Sequence, residues 1–150
     1  MGTLQQLTAA DLRELELAPL WILAAVAGAD GTIDQAEKTS HITAISRFTE
    51  HADEVVSRVF GAVAKDFESV WQRYLADHRS ATQGIAAVSE LLARLPNPAA
   101  TLPFKDALLE LGGAVADASG GMLSLGRKRS PAEREALSAA ARALGVPERA

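Results

Sequence analysis

Three carboxylates crowd one short segment of this chain. Asp30, Asp34 and Glu37 lie within Ala27-Gly28-Ala29-Asp30-Gly31-Thr32-Ile33-Asp34-Gln35-Ala36-Glu37. Carboxylate oxygens at that density suit a hard divalent cation such as calcium or magnesium. The spacing matches the second half of a calcium EF-hand loop: Asp30-Gly31 as third ligand and turn glycine, Ile33 as the small bridging residue, Asp34 and Glu37 as late and closing ligands. The first half fails, because its two ligand slots fall on Val26 and Gly28, which carry no side-chain oxygen. A second reading needs no ion. Asp30-Gly31 makes a turn, and Asp34 with Glu37 forms a D-x-x-E capping box at the start of a helix. The readings are compatible, since a capping carboxylate can also coordinate.

A weaker echo follows near the C-terminus, at Ala116-Asp117-Ala118-Ser119-Gly120-Gly121 and then Ser130-Pro131-Ala132-Glu133. If the two turns meet in space, Asp117 and Glu133 complete what Asp30, Asp34 and Glu37 begin. Ser119 stands where the first motif has Asp30, and seven extra residues precede the closing glutamate. His41 lies one turn after Glu37, where an imidazole would shift preference toward zinc. The plain alternative is an exposed helix histidine with no ligand.

Other chemistry is poorly represented. His41, His51 and His78 have no cysteine or G-x-S-x-G serine to activate, and there is no H-E-x-x-H pair. No catalytic residues are assigned, and the expectation is a protein that is not an enzyme. Gly121 to Lys128 is faintly similar to a phosphate-binding loop but lacks Lys-Ser/Thr after its second glycine. Arg127, Lys128 and Arg129 are the one sequential basic cluster, able to meet an anion at the helix start near Ser130 or to sit in water. Trp21 and Trp71 fall at apolar helical spacing and read as core.

The bulk composition sets the frame. The chain has 150 residues, 48% hydrophobic and 23% charged, enough for one domain with a real core. A net charge of -4 argues against non-specific nucleic-acid binding. Without cysteine there are no disulfides, zinc fingers or thiol catalysis, which fits a cytoplasmic location. The longest apolar run, Leu17 to Ala29, is shorter than the about 20 residues that span a bilayer, so no direct membrane insertion is expected.

Apolar residues recur at helical spacing throughout. Thr8 and Asp11 cap a first short helix to about Leu17, and Pro19 opens a second, Leu20 to Gly28, apolar on every side. Asp34 and Glu37 start a third, with Ile42, Ile45 and Phe48 on one face. Val55, Val56, Val59, Phe60 and Val63 mark a fourth. Phe67, Val70, Trp71, Tyr74 and Leu75 mark a fifth, and Ile85, Val88, Leu91, Leu92 and Leu95 a sixth. Pro96-Asn97-Pro98 breaks the chain. Phe104, Leu108, Leu111 and Val115 line a seventh helix, ended by Gly120-Gly121. Ser130, Pro131 and Glu133 cap a last helix that Gly145 and Pro147 close. The expectation is an all-α, single-domain helical bundle of seven to eight helices. It has two pseudo-repeats at about residues 8–50 and 102–146, and no strand beyond an isolated bridge near Ile33.

The pattern Ala-x-Ala-Asp-Gly-x-Ile-x-x-x-Glu after an apolar helix, echoed before a final Ala-Leu-Gly, resembles the tellurite-resistance TerB and TerB-like family. The resemblance covers Leu20 to Phe48 and Phe104 to Gly145; the middle, Glu50 to Pro103, matches in length and helicity only. It implies a cytoplasmic, bacterial, all-helical domain linked to tellurite and other stress responses. It also implies a divalent cation held by acidic positions, here Asp30, Asp34, Glu37 and Glu133, and partners in chaperone or membrane-associated complexes. Ser119 departs from the family's second repeat, which often has Asp-Gly; Asp117 would substitute. The leading expectation is therefore a non-enzymatic domain that binds a divalent cation weakly. The alternative is a helical protein-interaction module whose acidic turns are structural caps.

Overall fold

The computed structural model describes residues 2–27, 35–123 and 131–146, with side chains for 2–26, 38–116 and 131–146. Among the described residues there are seven α-helices and no strand. They are α1 (Ala9–Ala27), α2 (Gln35–Ser46), α3 (Glu54–Lys65), α4 (Phe67–Ala76), α5 (Ala81–Ala93), α6 (Leu102–Leu123) and α7 (Pro131–Leu144). Short 3₁₀ turns precede α1 and α6. The bridge expected near Ile33 lies outside the described residues.

α1 is the central element. It packs most extensively on α5 and α6, and also touches α3, α4 and α7. The sequence accounts for this, since Leu15, Leu20, Trp21, Ile22 and Leu23 are buried on every side of it. Its start is a reciprocal cap. The Asp11 N–H donates to Thr8 Oγ1 at 3.0 Å, and the Thr8 N–H donates to Asp11 Oδ2 at 3.0 Å.

The expected break at Pro19 does not occur. α1 runs through Pro19 as one helix of 19 residues. A proline inside a helix removes one backbone hydrogen bond and crowds the carbonyl four residues back, at a cost of about 3 kcal/mol. Burying one Leu, Ile or Trp side chain contributes roughly 1.5–3 kcal/mol, and α1 buries many. Tertiary packing outweighs the local penalty.

A second correction concerns Gly120-Gly121, which do not end α6. The helix continues to Leu123. Glycine in a helix costs only about 1 kcal/mol relative to alanine, and the flanking Ala114, Ala116, Ala118, Met122 and Leu123 favour helix. The second turn expected at 116–121 is therefore the last part of a long helix, as are the first residues of the glycine-rich segment compared with a phosphate loop.

The remaining elements follow their caps and apolar faces. Asp53 Oδ2 accepts from the Val55 and Val56 N–H groups, both at 3.1 Å, to start α3. Ser80 and Gln83 form a full capping box for α5. α5 lies so close to α1 that a Cβ on Gly84 would fall 2.2 Å from the Trp21 ring. α7 ends in a Schellman motif. The Val146 N–H bonds the Ala141 carbonyl at 2.9 Å and the Gly145 N–H bonds that of Arg142 at 3.0 Å, with Gly145 at φ 72°. Phe48, in the turn after α2, joins Phe60 of α3 and through it Phe104 of α6, with ring contacts of 4.8 and 6.0 Å. Among the described residues no helix is long and apolar enough to cross a membrane.

Candidate functional site

The acidic segment follows the central helix directly. α1 ends at Ala27 and α2 begins at Gln35, so Asp30 and Asp34 fall in the connecting residues 28–34 and Glu37 is the third residue of α2. Asp30 and Asp34 lie outside the described residues. Glu37 and Asp117 are described in backbone only.

The two helix pairs share a register. Residues 28–34 join α1 to α2 and residues 124–130 join α6 to α7, seven residues in each case. Each second helix carries a glutamate at its third position, Glu37 in α2 and Glu133 in α7. In this register Asp30 corresponds to Gly126 and Asp34 to Ser130. Asp117 is the sixteenth residue of α6, well inside the helix, and does not occupy the counterpart of either acid. The extra residues before Glu133 are thus accounted for by the longer α6. Acid in the connecting segment belongs to the first pair alone.

Glu133 is partly buried in the first turn of α7, where free backbone N–H groups favour a carboxylate. Among the described residues, no three His, Asp or Glu side chains are gathered as a metal site. The cap expected at Ser130 and the basic cluster Arg127 to Arg129 lie outside the described residues.

His41 differs most from its sequence reading. It is not an exposed surface residue: it is 2% exposed, and its Nδ1 has no hydrogen-bond partner. Burial pushes its imidazole below the ordinary pKa of 6.5. The signal was present in the spacing, because His41 precedes Ile45 and Phe48 by one and two turns on the same buried face.

Lys38, next to Glu37, ties the start of α2 to α4. Its Nζ lies 3.5 Å from Glu68 Oε2 and 4.9 Å from the centroid of the Trp71 ring. Glu68 is held below the usual carboxylate range, first by the Gln72 amide at 3.0 Å and then by the Lys38 charge.

A second polar cluster was not legible as a motif. Arg79 Nη2 donates to Glu14 Oε1 and to Asp77 Oδ2, both at 2.7 Å, and its guanidinium covers the Trp21 ring at 5.4 Å. The Arg79 side chain holds Asp77 below the ordinary carboxylate range, and the two carboxylates raise Arg79 in turn. Arg73 pairs with Glu16 and also donates to the Arg13 carbonyl oxygen at 3.3 Å. These groups are scattered in sequence, and only the packing of α4 and its following link on α1 assembles them. No family model matches this chain, and no curated protein or solved structure matches it.

Proposed function

We propose that this chain is a non-enzymatic, TerB-like helical domain that binds a divalent cation weakly through Asp30, Asp34 and Glu37. The observation that carries the reading is the position of these acids. All three fall in, or three residues beyond, the segment joining the central helix α1 to α2, while the matching segment between α6 and α7 has none. Oxygen-only donors favour calcium or magnesium. Three carboxylates fill part of a six- to eight-ligand shell and water supplies the rest, so affinity falls near roughly 10⁻⁴–10⁻³ M. Glu133 and Asp117 are secondary contributors on α7 and α6, which pack on each other and on α1. A role in tellurite or stress response, a cytoplasmic setting and a membrane-associated or chaperone partner rest on the resemblance alone.

The test is isothermal titration of the metal-stripped protein with calcium, magnesium and zinc. Saturable calcium or magnesium heat that disappears in Asp30→Asn with Glu37→Gln supports the reading. No heat with any of the three metals makes the carboxylates caps. The second reading, a protein-interaction module, then takes its place; the arginine-lined surface of α1 favours it.

A further inference from the structure

The N-terminal half of α1 forms one wall of a shallow cleft of about 740 Å³, completed by α3, α4 and the link between α4 and α5. Four arginines line it: Arg13, Arg58, Arg73 and Arg79. Its three carboxylates are already engaged, Glu14 and Asp77 by Arg79 and Glu16 by Arg73. Arg13 and Arg58 are exposed, and among the described residues no carboxylate pairs with either. Leu12 and Leu17 add apolar surface between the charges. A second hollow of about 530 Å³ shares Arg13, Glu16 and Arg73 with the first and extends to Lys65 and Asp66; among the described residues no ion pair joins Lys65 to a carboxylate. Arg13, Arg58 and Lys65, without an ion pair among the described residues, thus line the two adjoining hollows, whose other cations Arg73 and Arg79 are paired, in a protein whose net charge is -4.

We propose that this groove docks an acidic peptide segment of a protein partner, with glutamate or aspartate side chains on Arg13 and Arg58 and an apolar side chain between them. The spacing favours a peptide over a single small anion. Arg58 and Lys65 lie two turns apart on α3, about 10 Å along the axis, whereas an extended chain covers that span in about three residues. Arginine's planar fork suits carboxylate recognition, and Arg73 and Arg79 are held in place by their own ion pairs. The proposal deepens the interaction-module reading and does not rest on the cation site. Arg13 and Ala27 are separated by about 20 Å of α1.

The experiment is fluorescence anisotropy of the full chain with labelled Glu-Glu-Leu-Glu-Glu at low ionic strength, beside labelled Gln-Gln-Leu-Gln-Gln. The expected result is saturable binding of the acidic peptide alone, weakened at least about tenfold in Arg13→Gln with Arg58→Gln and unchanged in Arg134→Gln on exposed α7 surface. Arg58→Gln with Lys65→Gln, also at exposed positions, repeats the test should the first pair melt early. No binding up to roughly millimolar protein, or binding undiminished in both pairs, overturns the proposal. So does full competition by tripolyphosphate together with unchanged affinity when the leucine is replaced by serine, which would make the groove a small-polyanion site. Calcium titration of the same variants separates this outcome from failure of the cation site.

Discussion

His41 carries a titratable ring into the packed face of α2, where its Nδ1 finds no partner. Its folded-state pKa is lowered from 6.5 by burial. The unfolded chain therefore takes up the proton first as pH falls. Stability from this residue is intact above about pH 6.5, declines as pH drops through the lower folded value, and levels off below it. Urea midpoints of the parent should fall between about pH 7 and pH 5, and those of His41→Leu should fall less over the same window. Equal slopes would assign the acid sensitivity to other groups. Gly84 offers a second test at this scale. A Cβ there would meet the Trp21 ring at 2.2 Å, and Trp21 is locked by Tyr74 at 5.3 Å and by Arg79 above it. Gly84→Ala should destabilise the domain by about 1–3 kcal/mol, read as a lower urea midpoint at unchanged m-value. Single residues were legible where a periodic apolar face named them, as with Val59, Phe60 and Leu111, all nearly fully buried. Leu75 fits the same periodicity yet is 53% exposed, because α4 is fully covered only over Phe67, Val70 and Trp71 and partly over Tyr74. Periodicity gives a face but does not fix how much of it a neighbour covers.

Helix boundaries depend on a few capping groups, and α5 provides a direct measure of one. Ser80 Oγ accepts the Gln83 N–H at 3.1 Å, and Gln83 Oε1 accepts the Ser80 N–H at 2.8 Å. Ser80→Ala leaves that N–H of the first turn without its acceptor and should cost about 1 kcal/mol, measured by chemical denaturation. An unchanged midpoint would mean that water replaces the cap without loss. Thr8 with Asp11 and the glycine that closes α7 were legible in the sequence. Each of these is a local device with all its partners within a few residues. Sequence reading misplaced two boundaries, at Pro19 and at Gly120-Gly121. In both, residues of low intrinsic helix preference sit inside longer helices, α1 and α6. At Pro19 the burial that overrides local preference comes from helices distant in sequence, whereas at Gly120-Gly121 the neighbouring alanines, Met122 and Leu123 offset the modest cost of glycine. The candidate cation segment was legible because its acids are sequence neighbours. The arginine groove was not, because its charges come from α1, α3, α4 and the α4–α5 link.

At the scale of the whole molecule, α1 connects the two proposed sites and keeps them apart. Its N-terminal half lines the arginine groove, and the acidic segment follows its C-terminal end. A cation bound only by the folded state stabilises it by RT ln(1 + [L]/Kd). With a Kd of roughly 10⁻⁴–10⁻³ M, calcium at about 10 mM contributes about 1.4–2.7 kcal/mol. For a domain of this size each kcal/mol raises the melting temperature by about 2–4 °C, so a rise of about 3–10 °C is expected. Asp30→Asn with Glu37→Gln should erase the rise, since the amides retain much of the turn and capping chemistry without the charge. Arg13→Gln with Arg58→Gln should preserve it, because Arg13 lies about 20 Å along α1 from Ala27, the helix end that the acidic segment follows, and well-separated changes combine additively. Loss of the calcium response in the arginine pair would show that the two ends of α1 act as one electrostatic unit. A flat melting curve for the parent in calcium, magnesium and zinc would return Asp34 and Glu37 to the role of caps on α2. Under that outcome the groove along α1, α3 and α4 carries the domain's binding function, because Arg13 and Arg58 line it without a carboxylate partner among the described residues.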